Sequence, residues 1–113
     1  MKADEQTYID TISSKWPQDS EASAELLALV EKAVSTFPQS AKLWCMRGDL
    51  IQLSGLEANY KLTDAVESYQ QAVAADPSFG EAYESTGYYY GVVEENFAVS
   101  EAAFRKAVEL NMG

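Results

Sequence analysis

The sequence predicts an all-α protein, a stack of about three antiparallel helix pairs, from a repeat, a periodicity and a set of breaks. Trp44 and Tyr83, Gly48 and Gly87, Ile51 and Tyr90, and Pro38 and Pro77 each lie 39 residues apart. Ala65 and Ser100, Tyr69 and Phe104, Ala72 and Ala107, and Pro77 and Met112 lie 35 apart. Two blocks therefore keep their internal register and slip by four against each other, as a difference in loop length would make them do. Between these anchors apolar residues recur at helical spacing without strand alternation. Pro17, Pro38 and Pro77 fall where a helix would have to stop.

The elements follow in order within one domain spanning 1–113. The first pair, 6–38, is degenerate: around Gln6–Trp16 only Ile9, Ser13 and Trp16 echo a large–small–large pattern, whereas Leu26, Val30 and Ala33 ahead of Pro38 mark a regular second helix. The second pair, 39–77, opens on LWCMRGDLIQL. It continues through a lengthened turn, Ser54–Lys61, into DAVESYQQAVAAD, where Val66, Tyr69, Ala72 and Val73 form one stripe. Loops lengthen at little thermodynamic expense, so the turn reads as a surface insertion. The third pair, 78–113, starts with the capping-box spacing of Ser78 and Glu81, passes through EAYESTGYYYG and closes on AFRKAVELN. Gly48 and Gly87 are expected to let the two helices of a pair approach closely, with Ala65, Ser100, Ala72 and Ala107 as small partners. Trp44, Tyr69, Tyr83, Tyr90 and Phe104 fill the remaining space.

Trp44-x-x-x-Gly48-x-x-Ile51 followed by Ala65-x-x-x-Tyr69-x-x-Ala72-x-x-x-x-Pro77, and again Tyr83-x-x-x-Gly87-x-x-Tyr90 followed by Ser100-x-x-x-Phe104-x-x-Ala107, resembles the tetratricopeptide repeat (TPR) family. The resemblance covers 39–113 strongly and the upstream pair weakly, and Met112 departs from it by standing where the family has proline. It implies a right-handed superhelical stack, or α-solenoid, whose first helices line a concave groove for a partner's extended peptide or helix. The face opposite the packing anchors is then Lys42, Cys45, Asp49 and Gln52 on one helix and Glu81, Glu84, Tyr88 and Val92 on the next. In Tyr88-Tyr89-Tyr90, Tyr90 is expected in the core and Tyr88 in the groove. Tyr89 is expected to face where a further repeat would pack, exposed and available for self-association.

Eighteen acidic residues against eight basic give a net charge of −10. That argues against nucleic acid and acidic membranes, whose affinity needs cations. From Leu62 to Phe104 eight acidic residues appear without a Lys or Arg. A basic or apolar peptide therefore suits the groove, and the family's clamp for acidic tails has no lysine or asparagine to build it.

With no histidine in the chain, Ser–His and Cys–His nucleophiles are excluded. No glycine-rich phosphate loop or calcium-loop spacing occurs, so neither an enzyme nor a cofactor or metal is expected. The single cysteine, Cys45, forms no internal disulfide and fits a reducing compartment, cytoplasmic or nuclear. The function expected is a protein-interaction scaffold. The alternative is a structural piece of a longer solenoid, or a self-associating module acting through its C-terminal end.

Overall fold

The computed structural model describes residues 4–55 and 58–112, and among them the regular structure is six α-helices without a strand. They are α1 (Glu5–Ser14), α2 (Ala24–Thr36), α3 (Ala41–Gln52), α4 (Leu62–Ala75), α5 (Gly80–Val92) and α6 (Phe97–Met112). Among the described residues no helix is long and apolar enough to cross a membrane. Pro17, Pro38 and Pro77 each lie just past a helix end, after α1, α2 and α4.

Local chemistry starts the first three helices. Asp4, Ser23 and Ser40 each accept a hydrogen bond from the backbone N–H three residues on, satisfying a donor the helix cannot use itself. At α4 the Asp64 carboxylate reaches back to Lys61 N at 2.9 Å. The cap expected from Ser78 is not formed. α5 starts one residue later, with Phe79 as N-cap, and Ser78 instead donates its hydroxyl to Asp76 Oδ1 at 2.6 Å. The Asp76 carboxylate competes for Ser78 within the turn and wins.

Consecutive helices pack side by side, and α3 also touches α5. The repeat reappears as matched contacts. Trp44 Nε1 donates to Pro38 O at 2.9 Å and the Tyr83 hydroxyl to Pro77 O at 3.4 Å, in each case closing the first helix of a pair over the preceding proline turn. Gly48 faces the Tyr69 ring and Gly87 the Phe104 ring. One core joins α1, α2 and α3 through Ile12, Leu26, Leu27, Val30, Leu43 and Leu50. A second joins α3, α4 and α5 through Ile51, Ala65, Tyr69, Ala72, Ala82 and Tyr89. Each fully buried aliphatic side chain is worth about 1.5–3 kcal/mol. Trp44 and Tyr60 border both cores, so the pairs are not independent.

The Ser54–Lys61 turn, whose Leu56 and Glu57 lie outside the described residues, is more than a spacer. Leu53 O, at its start, accepts from Ala22 N at 2.9 Å, and Tyr60 donates its hydroxyl to Glu31 Oε2 at 2.7 Å. Its C-terminal limb turns through Asn59 in the left-handed region, φ 61°. The longer connection thus packs back onto the first pair.

The tyrosine triplet is rotated from expectation. Tyr89 is 1% exposed, Tyr90 half-buried and Tyr88 65% exposed. Gly87 faces α6, and a residue two positions on points roughly 200° away, back toward the preceding pair. Tyr89 accordingly enters the α3–α4–α5 core, meets Tyr90 edge-on at 5.2 Å and donates its hydroxyl to Glu94 at 2.9 Å. Self-association through Tyr89 is therefore corrected: it has no free surface to offer.

Candidate functional site on the face of α1, α3 and α5

The first helices of the three pairs lie next to one another, with α3 in the middle. On the α5 side Lys42 Nζ donates to Glu81 Oε2 at 2.7 Å, and Cys45 Sγ lies 3.6 Å from Ser85 Oγ. On the α1 side a hollow of about 240 Å³ is lined by Ser13, Trp16, Lys42, Met46 and Asp49. Between them Asp49 Oδ1 accepts the Tyr69 hydroxyl at 2.6 Å, and that hydroxyl accepts from Gln52 Nε2, also at 2.6 Å.

Lys42, Cys45, Asp49 and Glu81 thus meet along one trough, with Gln52 joined through Tyr69. Glu84 is exposed on α5. Tyr88 leans toward α6, its ring edge-on to Phe104 at 5.1 Å, and Val92, one turn further, is 75% exposed. Cys45 is buried, which removes it from the contact surface the sequence assigned it to.

Electrostatics separates these groups further. Burial, with Asp49 adding to it, pushes the Cys45 thiol up to about 12, so it stays protonated and unreactive. Burial also raises Asp49 above the ordinary aspartate value, while the Tyr69 and Ser85 hydroxyls act the other way. The trough therefore holds a carboxylate short of solvation whose hydrogen bonds come from neutral groups, while the nearby lysine is engaged by Glu81.

The sign of that shift gives a test. A folded-state value above the unfolded one means that stability is largest at acid pH and falls as pH rises through the folded value. Asp49→Asn keeps an oxygen for the Tyr69 hydroxyl and removes the desolvated charge. It should melt at or above the wild-type temperature at neutral pH, and the gap should close on acidification below the ordinary aspartate range. A lower melting temperature at neutral pH would mean that the charge stabilises the fold.

Sequence reasoning missed Ser85 and the Tyr69 hydroxyl, and read Ser13 only as the small member of a packing pattern. Tyr69 read as packing alone, although Asp49 and Gln52, three residues apart on a face turned toward it, were a signal that its hydroxyl would be needed. Trp16 read as an echo of a packing pattern, yet it follows α1 and walls the hollow. Searched against protein-family models, curated proteins and solved structures, the chain finds no significant match.

Proposed function

We propose that this chain is a non-enzymatic protein-interaction module of tetratricopeptide type. In this reading its pairs continue a right-handed superhelix, and the face of α1, α3 and α5 is the concave groove that takes an extended peptide or helix of a partner. The observation that carries the reading is the Asp49 trough: a half-buried carboxylate beside a hollow walled by Trp16 and Met46, with Glu81 and Glu84 outnumbering Lys42. An aromatic wall next to an under-solvated carboxylate suits a basic side chain with an apolar stem. The chain's lack of histidine and its buried, protonated Cys45 argue against catalysis. We place it in the cytoplasm, or the nucleus, as a free-thiol protein.

Selection from a random peptide library tests this. Lys- or Arg-containing peptides should be enriched over acidic ones. Their affinity should fall roughly tenfold in an Asp49→Asn/Glu84→Lys variant of unchanged helicity, and should weaken with added salt. Enrichment of acidic peptides, or equal binding by the variant, would sink the groove assignment.

A second reading, self-association, is favoured by an apolar surface on α6 that the groove does not use.

A further inference from the structure

α6 turns small residues inward and large ones outward. Ser100, Ala103 and Ala107 are its buried positions, with the Ser100 hydroxyl donating to Gly87 O at 2.7 Å. Phe97 is 70% and Val108 55% exposed, and with half-buried Phe104 they line an open trough of about 670 Å³. The spacing 97, 104, 108 places them on one stripe three turns long. Tyr88 and Val92 of α5 are exposed beside it, Tyr88 in contact with Phe104. A run of exposed large apolar side chains on an otherwise acidic surface marks a contact site.

The molecule's own surface says what covers it. Head-to-tail stacking of copies would set this stripe against α1 and α2, whose exposed positions are mainly polar, Glu5, Gln6, Asp10, Glu25, Lys32 and Thr36 among them with only Ala24 and Ala28 apolar, a face that gives large apolar side chains little to bury against. α6, by contrast, is complementary to itself. Laid antiparallel about a two-fold axis that passes between Glu101 and Phe104, it brings Phe97 opposite Val108 of the second copy, and Phe104 opposite Glu101. Arg105 of each copy then reaches Glu101 of the other. Within one chain Arg105 Nη2 already donates to Glu101 Oε1 at 2.5 Å, both side chains remaining exposed, so the two-fold closes an alternating ring of two acids and two bases. On this face Arg105 answers Glu101 and only Glu109 is left unmatched, in a chain that carries −10 overall. These are the marks of an isologous contact.

We propose that α6 is a homodimer interface, two copies packing antiparallel through Phe97, Phe104 and Val108 with reciprocal Glu101–Arg105 pairs. The proposal is independent of the peptide-groove reading, because none of its residues lies in the Asp49 trough.

Sedimentation of the full chain up to about 0.5 mM tests it, since dimerisation follows mass action. A monomer–dimer equilibrium is expected, and Phe97→Glu, at an exposed position, should yield a monomer of unchanged helicity. Glu101→Arg and Arg105→Glu should each weaken the dimer roughly tenfold by setting like charges across the axis. An equimolar mixture of these two variants should regain near wild-type affinity, because both cross-axis pairs are then opposite in sign while the pairs within each chain stay mismatched. A strict monomer, a dimer indifferent to Phe97→Glu, open-ended oligomers, or no recovery on mixing would each overturn the proposal. The Asp49→Asn/Glu84→Lys variant should dimerise as the wild type does, so failure of the groove reading and failure of this one are read separately.

Discussion

Gly48→Leu is expected to unfold the α3–α4 pair. A Cβ built on Gly48 would sit 2.5 Å from Tyr69 Cε1, closer than real Cβ contacts allow. The ring cannot step aside cheaply: Tyr69 is 1% exposed and its hydroxyl is tied to both Asp49 and Gln52. Even Gly48→Ala should lose stability, since overpacking costs about 1–3 kcal/mol against a helix-propensity gain of about 1 kcal/mol. Leucine adds three more carbons with nowhere to go, and a loss above roughly 3 kcal/mol follows. The repeat supplies its own control. At Gly87 a Cβ would meet the Phe104 ring at 2.9 Å, but that ring is only half-buried, makes no hydrogen bond and borders the open α6 trough. Gly87→Ala should therefore cost clearly less than Gly48→Ala. Urea unfolding of the three variants decides it, and a Gly48→Ala protein as stable as wild type would show that the Tyr69 ring moves freely.

Arg47→Ala should have the next largest effect, about 2–3 kcal/mol, because one guanidinium holds three helices and a turn together. Arg47 Nε and Nη2 donate to the two oxygens of Glu31 on α2 at 2.7 and 3.3 Å, and Nη1 donates to Ser68 on α4 at 2.7 Å. Its Cζ lies 5.7 Å from the centroid of the Trp44 ring and 5.8 Å from that of Tyr60. Arg47→Lys should recover little of the loss, since an ammonium cannot reproduce the fork or the stacking.

The pH dependence carries the opposite sign to that of Asp49. Burial pushes Glu31 up, but the Arg47 and Tyr60 hydrogen bonds outweigh it and leave the carboxyl below the ordinary glutamate value. A lowered folded-state value gives stability that is complete above the unfolded value and is lost as pH falls through the folded one. Wild type and Arg47→Ala should therefore differ most at neutral pH and converge in acid. A constant difference down to the acid limit would place the clamp's contribution in stacking rather than in charge.

These two sites mark what could be read from the sequence. The glycine–ring pairing was legible because it is local in kind: a missing side chain on one helix and a large ring at matching spacing on the next admit few arrangements. The same holds for helix ends at prolines, which are set by backbone chemistry within a few residues. The Arg47 clamp was not legible. It joins residues 16 and 21 positions away and uses Glu31 and Tyr60, which carry no repeat signal, so nothing in the spacing marked Arg47. Tyr89 was misdirected for a related reason. Periodicity fixes angles around a helix, but which side meets the preceding pair is a tertiary fact, and reversing it exchanges core with surface. Of the trough, the spacing of Lys42, Asp49 and Glu81 could be read. The depth that buries Cys45 and leaves Asp49 short of water could not, because depth depends on how closely neighbouring helices settle.

The small inward residues of α6 also govern how the molecule comes apart. Leu26, Leu27, Val30, Leu43 and Leu50 anchor the other end with large apolar areas, while α6 is held by a serine and two alanines, with Phe104 only partly covered. Free energy of local opening follows such differences in burial. The last helix is thus more lightly anchored in apolar area than α2 or α3, and its amides should lose protection before theirs. Where a second copy covers Phe97 and Val108, the order of opening becomes a function of concentration, and a lightly anchored end of the monomer turns into the seam of the pair.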